Sequence, residues 1–84
     1  MTGELRNRLK VQRAISDVTQ AELAARAGVT RKSVNAIETG RMVPSVLLAL
    51  KLARALEVPI EAIFMLDGQS AIQTNAPAER ETEN

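Results

Sequence analysis

Cysteine, histidine, tryptophan and tyrosine are absent from this 84-residue chain, and Phe64 is its only aromatic residue. Without Cys or His there is no disulfide framework, thiol nucleophile, imidazole base or zinc site. No apolar run approaches the ~18–20 residues that cross a bilayer, and the opening MTGELRNRLK lacks the apolar stretch of a signal peptide. The chain is therefore expected to be soluble, cytoplasmic and without a membrane partner. No carboxylate pair, nucleophile–base set or phosphate-binding glycine loop stands out, so no catalysis, cofactor or metal is expected.

What is present is 45% apolar, mostly Ala, Leu, Val and Ile, a composition that favours helices over a sandwich or barrel. Eighty-four residues make one domain with a modest core, which association with a second chain would help to stabilise. Net charge is +1, but residues 1–66 hold ten Lys/Arg against six Asp/Glu, or +4, while residues 67–84 hold one Arg against four acids, or −3. A basic body with an acidic tail suits an anionic partner. Residues 67–84 show one isolated Ile and no periodicity, the signature of a flexible tail.

Caps and breakers predict five short helices in residues 1–66. The first covers residues 4–15, with Leu5 and Leu9 one turn apart on its inner side. Thr19 opens the second as a capping box with Glu22, Val18 acts as a hydrophobic staple, and Gly28 closes the helix in a left-handed conformation. Thr30 caps a third helix over residues 30–39, ended by Gly40. Ser45 caps the fourth, with Val46, Ala49, Leu50, Ala53 and Leu56 facing inward, and Glu57 stands where Gly commonly closes such a helix. Pro59 starts a fifth helix over residues 59–64.

The second and third helices flank a glycine within three or four connecting residues, and Ala24 lies one turn before it. Small residues at that crossing allow the helices to cross steeply and closely, which is the helix-turn-helix arrangement. With Arg31 at zero and ~100° per residue, Asn35 falls near 40°, Lys32 near 100° and Ala36 near 140°, while Val34 and Ile37 fall near 300° and 240°. One face is buried; the other offers a guanidinium, an ammonium, an amide and a methyl. These groups match base edges: Arg or Lys to guanine, Asn to adenine, Ala to the thymine methyl. Arg31, Lys32, Asn35 and Ala36 are the expected base readers, with Thr30, Ser33 and Arg41 on phosphates. Glu38, near 340° beside the buried stripe, is expected to pair structurally with Arg13.

The stretches TQAELAARAGVTRKSVNAIETGR and PSVLLALKLARALEVPIEAIF resemble the Cro and lambda-repressor type helix-turn-helix family, or Xre-type regulators, in its short single-domain form. With the first helix the resemblance spans residues 4–66. It implies an all-α, five-helix fold, a phosphate contact from Gln20 at the start of the second helix, and the Arg13–Glu38 pair. It further implies dimeric binding to a two-fold site on double-stranded DNA. It also suggests a short terminal β-ribbon in which Met65 and Leu66 pair with residues near Glu4. Met42 and Val43 stand where relatives carry an aromatic and an Asn that grip the backbone, and Leu47 replaces a common Glu.

The segment PIEAIFML is too apolar for one small body to bury fully. Phe64 is the leading core candidate there, and Ile60, Ile63 and Met65 are assigned to a homodimer seam. The function expected is a transcriptional regulator, repressor or activator. The alternative is an antitoxin-type interaction protein that neutralises a second protein partner and regulates its own promoter.

Overall fold

The computed structural model describes residues 4–66, so the acidic tail expected at 67–84 lies outside the described residues. In chain order it contains β1 (Leu5–Asn7), α1 (Leu9–Ser16), α2 (Gln20–Ala27), α3 (Arg31–Glu38) and α4 (Val46–Leu56), then a single 3-10 turn (Ile60–Ala62) and β2 (Phe64–Leu66). The two strands pair antiparallel, Leu5 opposite Leu66, Arg6 opposite Met65 and Asn7 opposite Phe64.

The helix ends follow the side chains that satisfy them. Thr19 Oγ1 accepts from the Glu22 amide at 3.0 Å and Glu22 Oε1 accepts from the Thr19 amide at 2.8 Å, a complete capping box. Gly28 then closes α2 at φ 72°, where a Cβ would be strained, and lets the Val29 amide reach back to the Ala24 carbonyl at 2.9 Å. Thr30 and Ser45 cap α3 and α4 by accepting from the Ser33 and Leu48 amides.

Leu9, Val18, Leu23, Ala24, Ala27, Val34, Ile37, Leu52, Ala53, Leu56 and Ile63 form one buried cluster. Ala24 and Ala27 lie on the buried side of α2, where their small side chains leave room for neighbouring helices.

Four expectations are corrected. Residues 5–7 are strand, not the first turn of a helix, and Leu5 is 39% exposed beside Leu66 in the ribbon. The fifth helix shrinks to one 3-10 turn, because the chain must extend from Phe64 onward to pair with β1. On α4, Val46 and Leu50 are exposed and Leu52 is fully buried in their place. That helix is apolar around most of its circumference, so its inward side is set by what packs on it and not by its own pattern. Ile63, assigned to a homodimer seam, is completely buried in the core of its own chain, whereas Phe64 is half-buried against that core.

Candidate nucleic-acid interface

α3 is short, and its two faces divide sharply. Val34 and Ile37 are buried, whereas Arg31, Lys32 and Asn35 are exposed. Together with Gln20 from α2 these three line an open cleft of about 390 Å³. Ala36 is half-buried, and its carbonyl accepts from the amides of both Arg41 and Met42, at 2.8 and 3.2 Å. That turn holds Arg41, exposed, just beyond the C-terminal end of α3, while Met42 packs on the core. Thr30 and Ser33 sit at the other end, their hydroxyls 2.9 Å apart. Apart from Gln20 at the start of α2, the residues expected on bases and on phosphates thus lie along and at both ends of α3.

Arg13 on α1 grips the C-terminal end of that helix. Its Nε donates to Glu38 Oε2 at 2.6 Å and its Nη2 to Glu38 Oε1 at 3.2 Å, while Nη1 donates to the Val18 carbonyl at 2.9 Å. The Glu38 side chain is only 4% exposed, so this is a largely desolvated, two-pronged pair. Gln20 adds a further hydrogen bond, its Nε2 donating to Glu38 Oε1 at 3.0 Å.

The helix-turn-helix family model matches residues 9–63, most of the described chain. Two relatives named as uncharacterized HTH-type transcriptional regulators are similar along nearly their whole length. The one from Methanocaldococcus jannaschii is 43% identical over 75% of this chain and 96% of its own. The other, YgzD of Bacillus subtilis, is 41% identical over 79% of this chain and 100% of its own. Among solved structures, the restriction-modification controller protein C.AhdI from Aeromonas hydrophila is 33% identical, with a TM-score of 0.64 over 66% of this chain and 83% of that one. The chain belongs to the Xre/Cro-type helix-turn-helix family.

As an Xre/Cro-type protein it is a transcriptional regulator built on a DNA-binding fold. No helix among the described residues of this regulator is long and apolar enough to cross a membrane. Its ion pair is electrostatically poised. Burial pushes the Glu38 carboxyl upward, but hydrogen bonds from Arg13 and Gln20, with the charges of Arg13 and Lys10, outweigh that and hold it below the usual carboxylate range. The bond to Glu38 raises Arg13 in turn, against the opposing effect of burial.

Two residues of the Xre/Cro-type scaffold that sequence reasoning passed over make non-local side-chain bonds, and the first of them holds α3. Asn7 donates through Nδ2 to the Ile37 carbonyl and accepts through Oδ1 from the Leu9 amide, so one side chain joins β1 to the end of α3 and the start of α1. An Asn two residues before a helix start is a recognisable local cap, a signal that was legible. Gln12 reaches the Ala62 carbonyl at 3.4 Å; nothing in its spacing announces that non-local bond.

Proposed function

We propose that this regulator binds double-stranded DNA sequence-specifically as a homodimer on a two-fold operator, with α3 in the major groove. Arg31, Lys32 and Asn35 meet base edges and Ala36 contributes its methyl group at closer quarters. Gln20 from the start of α2, Thr30, Ser33 and Arg41 contact phosphates on either side. The observation that carries this reading is the division of α3: Val34 and Ile37 anchor it rigidly while Arg31, Lys32 and Asn35 project together from the opposite side. Two copies are required because one helix of this length reaches few base pairs, and two-fold dimers place such helices about 34 Å apart, one turn of DNA. With Ile63 in the core, Ile60 and Met65 remain the seam residues, both half-buried in one chain.

Selection of bound fragments from genomic DNA tests the reading. Enrichment of symmetric half-sites one turn apart, with a dimer in sedimentation at micromolar protein, is expected. Absence of any enriched sequence overturns sequence-specific binding, and a strict monomer on an unsymmetric site overturns the dimer.

A second reading rests on Val43, Val46, Leu47 and Leu50, which are all at least half exposed. Val46, Leu47 and Leu50 share a face of α4, and an apolar stripe of this kind suits a protein partner. An antitoxin-type interaction protein that neutralises such a partner and regulates its own promoter would use it. Co-purification of a second small polypeptide, lost on Leu47→Lys, supports that reading; purification of the regulator alone from its native host removes it.

A further inference from the structure

The Arg13–Glu38 pair does not end in the core. Glu38 Oε1 accepts from Gln20 Nε2 at 3.0 Å, and the same nitrogen donates to Asn35 Oδ1 at 3.1 Å. On its other side, Gln20 Oε1 accepts from Arg31 Nε at 3.4 Å. The chemistry of each group dictates the orientation of the next. A carboxylate only accepts, so Gln20 must turn its NH2 group toward Glu38. The second hydrogen of that NH2 must be met by an oxygen, and this turns Asn35 Oδ1 toward α2. A guanidinium only donates, so Arg31 suits the oxygen that Gln20 has left on its far side. Flipping either amide would set donor against donor, or oxygen against carboxylate.

We propose that Glu38 is a positioning residue for base readout: through Gln20 it fixes the Asn35 amide with Nδ2 outward, so that Asn35 meets DNA as a donor. A purine presents N7 as an acceptor to that group, whereas cytosine presents its N4 amine and is rejected. A charge embedded beside the core thereby sets the preference at one base pair without touching DNA. In this role the Gln20 side chain is spent inside the protein as a relay, and the phosphate contact at this residue falls to its backbone amide in the first turn of α2. The inference rests on the reading of α3 as the base-contacting helix.

The test uses the full chain and the operator recovered by fragment selection, with all single base-pair variants. Asn35→Ala first identifies the pair that Asn35 faces. Gln20→Met cuts the relay and leaves the Arg13–Glu38 pair intact; having lost one hydrogen bond to the Glu38 carboxylate, it should melt slightly below the parent and well above Glu38→Ala. It should lose roughly tenfold of the discrimination at that same pair, chiefly by tolerating cytosine. Glu38→Gln, where it folds, should reproduce that selective loss. Equal weakening of every sequence by Gln20→Met would mark a phosphate contact and overturn the relay. Should Asn35→Ala alter one position while Gln20→Met alters none, the relay is wrong and the base readout stands. If Asn35→Ala alters no position, the readout fails and the relay falls with it.

Discussion

Asn7 and Ile37 are thirty residues apart in the chain and joined by one hydrogen bond, Asn7 Nδ2 to the Ile37 carbonyl at 3.0 Å. The same side chain accepts from the Leu9 amide at 3.1 Å. The ribbon is therefore fastened to the C-terminal end of α3, and to the start of α1 as well. Asn7→Ala removes both bonds from a part-buried setting and should cost about 1–3 kcal/mol. Urea unfolding of the variant, with an unchanged dependence on denaturant, is the check.

Breaking the Arg13–Glu38 pair from one side should be more damaging. Both side chains are largely buried, so Glu38→Ala leaves a guanidinium without its main partner at a cost of about 3 kcal/mol. A domain this small commands only about 5 kcal/mol in total. The variant should melt far below the parent; a thermal melt that superimposes on the parent would show the pair to be dispensable.

Acid should undo the same pair. The Glu38 carboxyl is held below its ordinary value of 4.5 in the folded state. A depressed carboxylate contributes stability that is fully present above its unfolded pKa and is lost as pH falls through the folded one. Unfolding free energies measured from pH 7 down to pH 3 should therefore drop below about pH 4.5. Glu38→Gln, already weakened at pH 7, should show a shallower drop, so that the two curves converge. Glu22, lowered by the hydrogen bond from the Thr19 backbone and by that of the Thr19 side chain, leaves a residual slope in both.

Glu57 ends α4 at φ 58°, a left-handed conformation that costs an L residue with a Cβ. Glu57→Gly relieves it and should stabilise the fold by about 0.5–1 kcal/mol despite the greater freedom of glycine in the unfolded chain. A rise of a few degrees in Tm is the expected readout.

On DNA, two arginines should behave differently. Arg31→Ala should cost about 1–3 kcal/mol at the operator and relax preference at one position. Arg41→Ala should weaken all sequences about equally and reduce the salt slope by about one. Titrations of operator and unrelated duplex over a range of salt concentrations separate the two.

The parts of this protein that were legible in its sequence are those decided locally. Thr19 with Glu22, Gly28, Thr30 and Ser45 each act within four residues, and the split of α3 follows from helical spacing alone. What misled was non-local. Leu5 and Leu9 have the spacing of a helical turn, yet Leu5 belongs to a strand whose partner is Leu66. The apolar run from Val46 to Leu56 permits several inward faces, and the rest of the core selects Leu52 over Leu50. The Arg13–Glu38 pair was foreseeable from the helical angle of Glu38. The hydrogen bonds from Gln20 to Glu38 and Asn35 were not, since they depend on how closely α2 crosses α3.

The pairing of Leu5 with Leu66 also bears on the order in which the protein assembles. Nearly the whole described chain is the loop that these three residue pairs close, at an entropic cost of about 3–4 kcal/mol that no three-residue ribbon meets alone. The ribbon should therefore zip last, onto a helical body already collapsed, and it should open first, without waiting for global unfolding. Amide exchange at Arg6 and Met65, the hydrogen-bonded pair of the ribbon, should then run ahead of that at Leu23 and Ile37. The end of α3, tethered to this ribbon through Asn7, would feel each opening, which makes the junction of β1 and β2 the place where small motions reach α3.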